Sequence, residues 1–160
     1  MPYRRDGIAP FHPAVIAATW FGAGLLPRAP GTWGSLAALP FAWGLAALGG
    51  PALLLAAATA CFLVGWWASA VYVARTAAED PGEIVIDEVA GQWLVLCAAP
   101  LDPLAYLAGF ALFRLFDVWK PWPVRWADDR IGGGLGVMLD DILAGLYGLA
   151  GMAVFLAVRP

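Results

Sequence analysis

The sequence predicts an all-α fold, a polytopic membrane helical bundle with about five transmembrane helices and an N-terminal interfacial or re-entrant helix. Of its 160 residues, 62% are hydrophobic and only 13% are charged, about half the charged fraction of an ordinary globular chain. The mean hydropathy of +0.76 is also well above that of a water-soluble domain. Because no long linker divides the chain, we expect residues 1–160 to form a single membrane-embedded domain.

The longest uncharged segment lies between Arg28 and Arg75 and is long enough for two crossings of about 20 residues each. Gly49, Gly50 and Pro51 interrupt it near its middle. Glycine and proline together favour a turn. We therefore predict a helical hairpin, with one helix over about residues 34–48 and the next over about residues 52–74.

Three further helices reach a spanning length only if they include charged residues near one end. The first must begin near Glu83, since the uncharged run Val89–Leu101 is too short for a hydrocarbon core of about 30 Å. The second runs from the turn at residues 100–103 to about Lys120, and the third covers about residues 134–158. The charged residues included in this way are Asp87, Glu88, Arg114, Asp117, Asp140 and Asp141.

Residues 11–26 are apolar but interrupted by glycines, so an interfacial or re-entrant helix is favoured there over a sixth span. With five crossings, the positive-inside rule places the basic residues, and with them the N-terminus, in the cytoplasm. Only Arg159 then falls on the opposite side. The cytoplasmic residues are Arg4, Arg5, Arg28, Arg75, Lys120, Arg125 and Arg130. The three charged clusters then share one depth, as expected of groups that face each other or a wet cavity.

Several function classes are disfavoured by composition. A net charge of -3 argues against nucleic-acid binding. His12 is the only histidine, and both cysteines, Cys61 and Cys97, lie in apolar runs where they are typical of core residues. A covalent phosphoenzyme on Cys or His is therefore not expected, and metal-activated water is the simpler hydrolytic mechanism.

The carboxylates suit a hard cation such as Mg²⁺, which also binds phosphate oxygens. Adjacent helical residues diverge by about 100°, so one acid of each pair is expected to reach the common centre. Gly91 and Gly145 leave space beside Asp87 and Asp141, which favours these two acids as ligands.

Basic and glycine-rich segments adjoin the acids. Arg114 and Asp117 are spaced to form a salt bridge, and Lys120 stands before Pro121 at a rim that Arg125 and Arg130 share. The glycine-rich segments at residues 30–35 and 132–136 either present backbone N–H groups to an anion or cap helices, with Thr32 or Ser35 as the N-cap.

Four stretches resemble the phosphatidylglycerophosphatase A family: PGTWGSLAALPF (30–41), IVIDEVAGQW (84–93), FRLFDVWKPWPVRWADDR (113–130) and GGGLGVMLDDILAG (132–145). The resemblance implies a Mg²⁺-dependent lipid phosphatase of the bacterial inner membrane, a phosphoric monoester hydrolase of phospholipid biosynthesis. It would convert phosphatidylglycerophosphate to phosphatidylglycerol and inorganic phosphate at the cytoplasmic face.

The resemblance also implies roles for residues of these motifs. Asp128 falls in the motif too, but we expect it to cap a helix or brace a loop. The predicted metal ligands are Asp87, Glu88, Asp117, Asp140 and Asp141. The predicted catalytic residues are Asp87, Glu88, Asp117 and Asp141, and the predicted phosphate-binding residues are Arg114, Lys120, Arg125 and Thr32.

The alternative function is a small ion or anion transporter that uses intramembrane carboxylates. It is disfavoured because no ionisable residue is predicted in the outer leaflet to continue a pathway. A structural subunit would explain the packing glycines of the last helix but not the acids. Those glycines also leave a homodimer open.

Overall fold

The computed structural model describes residues 8–76, 78 and 81–159, and every regular element in these ranges is a helix. In order they are α1 (Pro13–Ala18), a short 3₁₀ helix (Ala23–Leu25), α2 (Pro30–Thr76), α3 (Ile86–Leu96), α4 (Pro103–Trp119), α5 (Val124–Arg130) and α6 (Gly133–Val158). The all-α prediction is confirmed for this part of the chain. Arg4 and Arg5, which entered the orientation argument, lie outside the described residues.

Helix α2 is interrupted at two glycines. It has 47 residues, and a straight helix of that length would extend for about 70 Å. At Gly49 and Gly50 the backbone leaves the helical region, with φ of -148° and 66° respectively. The positive value at Gly50 is one that glycine adopts without steric cost. We call residues 30–48 the first limb of α2 and residues 51–76 the second limb.

Contacts with α3 show that the two limbs run in opposite directions. In the first limb, a Cβ at Gly31 would lie 2.0 Å from Glu88, in the first turn of α3. In the second limb, a Cβ at Gly65 would lie 3.1 Å from Ile86, where α3 begins. Gly50, between the limbs, instead lines a cleft with the last residue of α3. The predicted helical hairpin is therefore confirmed.

The start of α2 differs from the prediction. The helix begins at Pro30 rather than near Gly34, so Thr32 and Ser35 lie inside it. The Ser35 hydroxyl donates to the carbonyl of Gly31 at 2.9 Å, a bond made within a helix rather than at an N-cap. The prediction that Thr32 or Ser35 caps this helix is wrong, because Pro30 already suits the first helical position.

Among the described residues, two helices, α2 and α6, are long and apolar enough to cross a membrane. Helix α3 has 11 residues and α4 has 17, which correspond to about 16 Å and about 26 Å. Helix α3 begins at Ile86, so the expected extension to Glu83 is absent. Helix α1, with 6 residues, is too short to cross and agrees with a non-spanning N-terminal segment. By length and composition, α2, which is folded into two limbs, and α6 are therefore the candidate spanning helices among the described residues, and the prediction of five spans is not confirmed.

Helix α3 is held between the two limbs of α2. The Trp93 indole donates to the Ala38 carbonyl of the first limb at 2.9 Å. The Cys61 thiol of the second limb lies 3.7 Å from the Ile86 carbonyl, which accepts from it. Most of α3 is buried, including Asp87 in its acidic first turn, and Glu88 beside it is half-buried. The acids of this turn are therefore carried into the interior by a short helix that is fixed on both sides.

Helices α3 and α6 approach each other at glycines. A Cβ at Gly91 would lie 2.6 Å from the Asp141 carbonyl, and a Cβ at Gly145 would lie 2.9 Å from the Gly91 carbonyl. Only glycine permits backbones this close. The contact sets Asp141 of α6 beside the first turn of α3. It also covers this side of α6 within the chain, so that the side is not free to pair with a second copy.

At the end of α4 and α6 that lies away from Glu88, Asp102 and Arg159 form an ion pair. Asp102 caps α4 by accepting from the Ala105 amide at 2.9 Å. Its carboxylate also accepts a hydrogen bond from Arg159, which follows α6. The hydrogen bond from Arg159 is the main reason that the pKa of Asp102 lies below its ordinary value, and the bond from the Ala105 amide adds to it. The ends of α4 and α6 are tied together here.

Candidate active site

A cavity of about 700 Å³ opens where α3 and α6 begin and α4 and α5 end. Seven carboxylates and two basic side chains line it, together with three glycines around the start of α6. The acids are Asp87, Glu88, Asp117, Asp128, Asp129, Asp140 and Asp141; the bases are Lys120 and Arg130; the glycines are Gly132, Gly133 and Gly136. The three charged clusters predicted to share one depth therefore meet around one cavity.

Three of these acids form a compact group, which we call the acidic triad: Asp87, Glu88 and Asp141. One carboxylate oxygen from each lies within 4.8 Å of the others. Asp87 is 9% exposed and Asp141 is 4% exposed. The Glu88 amide donates to Asp87 Oδ1 at 3.0 Å, which fixes one carboxylate of the triad.

The triad has the donor chemistry of a hard-cation site. Glu88 Oε2 and Asp141 Oδ2 are buried and have no hydrogen-bond partner among the described residues. Buried carboxylate oxygens are normally satisfied by a donor or a cation. Carboxylate oxygens are the hard ligands that Mg²⁺ binds in proteins, together with waters and substrate phosphate oxygens. Both acids of the Asp87–Glu88 pair join the triad, whereas we had expected only one acid from each pair.

Arg114 and Asp117 form the predicted salt bridge within α4. Arg114 Nη1 also lies 3.8 Å from Glu88 Oε1. Asp117 lines the cavity, but Arg114 is not among the lining residues. The Arg114 guanidinium therefore contacts the carboxylates of Glu88 and Asp117 from outside the cavity. The resemblance implied that Arg114 binds phosphate, but its side chain does not line the cavity.

Lys120 connects three elements at the rim. Its Nζ lies 2.8 Å from Asp128 Oδ1 and 2.9 Å from Asp140 Oδ2. Burial acts to lower the pKa of Lys120, but the bonds to Asp128 and Asp140 outweigh it and raise that pKa above its ordinary value. The ammonium therefore stays charged at neutral pH. Asp128 braces the segment after α4, as expected.

The same contact separates Asp140 from the acidic triad. Asp140 and Asp141 are adjacent on α6 and diverge by about 100°. Asp140 meets Lys120, whereas Asp141 meets α3. Asp140 therefore lies outside the acidic triad, and its role as a metal ligand stays a prediction.

Two further predicted phosphate-binding residues, Thr32 and Arg125, also lie outside the cavity lining. The Thr32 amide donates to the Ala29 carbonyl at 3.0 Å, so it is used by the first turn of α2. The Arg125 side chain is 75% exposed and lies 3.7 Å from Asp129 Oδ2 on the same helix. Neither is brought to the acids.

Gly31 was not singled out from the sequence, although the structure gives it a specific place. A Cβ there would lie 2.0 Å from Glu88 Oε1 and 3.1 Å from Arg114 Nη1. The glycine lies in the motif at residues 30–35, where we had considered only caps and anion binding. The second glycine-rich segment does reach the cavity, and Gly132 is the N-cap of α6.

Comparison with known proteins places these features in one family. The family model described as PgpA, Phosphatidylglycerophosphatase A, matches residues 16–157. A relative from Haemophilus influenzae, named Phosphatidylglycerophosphatase A, is 42% identical over 141 residues, which cover 88% of this chain and 86% of the relative. A relative of the same name from Escherichia coli is 40% identical over 155 residues, with 92% and 83% covered.

A third relative, from Bacteroides thetaiotaomicron, carries a provisional name as a phosphatidylinositol-3-phosphatase. It is 39% identical over 147 residues, which cover 88% of this chain and 91% of the relative. No solved structure matches the chain.

Proposed function

The chain belongs to the phosphatidylglycerophosphatase A family, and from this premise we propose that it hydrolyses the terminal phosphomonoester of phosphatidylglycerophosphate. The products are phosphatidylglycerol and inorganic phosphate. The observation that carries the proposal is the acidic triad, whose buried, unpartnered carboxylate oxygens face one another at a cavity with a basic rim.

Asp87, Glu88 and Asp141 would hold Mg²⁺, the cation that their all-oxygen donor set suits. When bound, a divalent cation neutralises charge on the phosphoryl oxygens and lowers the pKa of a bound water. Asp117 lines the same cavity and is oriented by Arg114, so it is the carboxylate available to accept a proton from the attacking water.

Lys120 supplies positive charge for the phosphoryl oxygens during the in-line displacement. Asp128 and Asp140 hold its ammonium at the rim, which makes the charge preorganised rather than mobile. Arg114 contributes indirectly, because it positions Glu88 and Asp117. The chain's own residues thus divide into cation ligands, a proton acceptor and a phosphate-facing lysine.

We place the enzyme in the bacterial inner membrane with the cavity on the cytoplasmic side. The two limbs of α2 and helix α6 would cross, and α3 and α4 would complete five crossings within the bundle. Tryptophans near the cavity end are strongly exposed, as is typical of rings at the headgroup layer. They are Trp33, Trp119, Trp122 and Trp126. A lipid phosphate at that layer would reach the cavity without leaving the bilayer.

The test is release of inorganic phosphate from phosphatidylglycerophosphate by the purified protein in detergent micelles. We expect turnover with Mg²⁺, no turnover with a chelator, and recovery when Mg²⁺ is restored. Phosphatidylinositol 3-phosphate, assayed in parallel, tests the activity in the third relative's name. Absence of phosphate release, or release that is insensitive to the chelator, would overturn the proposal and favour the transporter alternative.

A further inference from the structure

Most charges that line the cavity are already paired. Asp128 and Asp140 share Lys120. Asp117 is paired with Arg114, whose guanidinium lies outside the lining. These contacts leave only a few cavity charges to be met by a ligand.

Asp129 also lines the cavity, and it is paired with Arg125, whose side chain does not line it. Its Oδ2 lies 3.7 Å from Arg125 Nε on α5. Two centres then remain at the cavity wall, the acidic triad and Arg130. Arg130 makes no ion pair among the described residues, although it lines the cavity. The cavity therefore offers one site that requires a cation and one separate cation that lacks an anion.

Arg130 ends α5 and is followed closely by the start of α6 at Gly133. Ile131, Gly132 and Gly133 line the same cavity, so its wall continues from Arg130 to the first turn of α6. The positive end of a long helix adds to the potential of an arginine beside it. The surroundings of Arg130 therefore favour an anion over a neutral group.

We propose that Arg130 forms a subsite for a second anionic group of the lipid, the phosphodiester that remains in the product. This inference rests on the proposed function, in which the acidic triad handles the terminal phosphomonoester. Arginine suits the role because its planar guanidinium donates two parallel hydrogen bonds to phosphate oxygens. Arg130 is then a specificity-determining residue that selects headgroups with two phosphates.

The size of the cavity agrees with a ligand of this kind. Its volume of about 700 Å³ lies within the range of small-molecule sites, about 300–1,000 Å³. A single phosphate would leave much of that volume and one cationic wall unused. A glycerol carrying two phosphates would occupy both charged centres at once.

The first test measures binding of soluble headgroups as a shift in Tm of the detergent-solubilised protein with Mg²⁺ present. Glycerol 1,3-bisphosphate and glycerol 1-phosphate are compared on the unsubstituted protein, Arg130→Ala, Arg130→Lys and Arg125→Ala. We expect the bisphosphate shift to fall at least twofold in Arg130→Ala, to be partly restored in Arg130→Lys and to persist in Arg125→Ala. The monophosphate shift should be the same in all four proteins.

Arg125 is the matched control because it lies on the same helix and its side chain is outside the cavity. A bisphosphate shift that Arg130→Ala leaves intact, or one that Arg125→Ala lowers equally, would overturn the subsite. A monophosphate shift that falls as much as the bisphosphate shift would also overturn it, since Arg130 would then contact the reacting phosphate.

The second test uses lipids. Arg130→Ala should raise KM for phosphatidylglycerophosphate roughly tenfold or more, as expected for the loss of a charge-assisted contact, with kcat little changed. An unchanged KM would contradict the inference. If the unsubstituted protein releases phosphate from no lipid, the proposed function fails, while the headgroup Tm shifts still decide whether Arg130 binds a second anion.

Discussion

Lys120 Nζ lies 2.9 Å from Asp140 Oδ2 and so joins the end of α4 to the second turn of α6. The contact lies at the rim of the cavity, where Asp128 is a second partner of the same ammonium. Because Asp140 is nearly buried, removal of Lys120 would leave a carboxylate without its cation. The pair is therefore expected to contribute to stability and to hold the lysine for phosphate.

A double-mutant cycle with Lys120→Met and Asp140→Asn should show a coupling energy of about 1–3 kcal/mol, because the two groups share one partly buried contact. The measurement is the free energy of unfolding in detergent micelles. The exposed pair Arg125–Asp129 is the matched control, with side chains 75% and 62% exposed, and its cycle should give less than about 0.5 kcal/mol. Equal coupling in the two cycles would show that the rim pair has no special role.

Asp141→Asn should lower kcat by at least about a hundredfold, because it removes one of three ligands expected to hold Mg²⁺. Phosphate release from phosphatidylglycerophosphate is the measurement. Asp129→Asn is the control, since Asp129 lines the same cavity but is exposed and paired with Arg125. Near-normal turnover of Asp141→Asn at saturating Mg²⁺ would remove the residue from the mechanism.

The hairpin could be predicted from sequence because its signal is local: Gly49, Gly50 and Pro51 are adjacent and break a helix wherever they occur. The start of α3 could not be predicted in this way. The Val85 amide donates to the Ala18 carbonyl at 2.8 Å, and Glu83 accepts from the Tyr72 hydroxyl. These partners are distant in sequence, and they hold the segment before Ile86 outside the helix.

The gathering of acids at one end could also be predicted, since a charge exposed to lipid is costly and such groups face each other or water. The sequence favoured Asp141 over Asp140 because Gly145 leaves space beside it, but how α6 packs against α3 could not be predicted from these positions. The close approach at Gly91 turns Asp141 toward α3 and leaves Asp140 for Lys120. Arg125 was predicted at the rim from its charge, but its helix directs it toward Asp129.

Gly31→Ala should lower kcat/KM at least about tenfold, because the new methyl group would lie 2.0 Å from Glu88 Oε1 and must displace it. Gly44→Ala, in the same limb of α2, is the control, since a Cβ there meets nothing within 4 Å. In a helix interior, alanine in place of glycine stabilises by up to about 1 kcal/mol. Gly44→Ala should therefore raise Tm and leave kcat/KM unchanged. Equal kcat/KM values for the two variants would mean that Gly31 does not position Glu88.

The ion pair at the other end predicts a pH dependence of stability. The pKa of Asp102 is lowered in the folded protein, first by the Arg159 bond and then by the Ala105 amide. A lowered pKa stabilises the fold above the ordinary Asp pKa of about 3.9, and the stabilisation is lost as pH falls through the folded pKa. Asp102→Asn keeps an N-cap acceptor but cannot form the ion pair.

The Tm of the unsubstituted protein should therefore exceed that of Asp102→Asn at pH 6, and the difference should shrink below about pH 4. Asp102→Ala removes the cap as well and should have a lower Tm than Asp102→Asn at both pH values. Thermal unfolding in a detergent that is stable over this range is the measurement. A Tm difference that does not change with pH would show that the cap alone, and not the charge pair with Arg159, stabilises this end of α4.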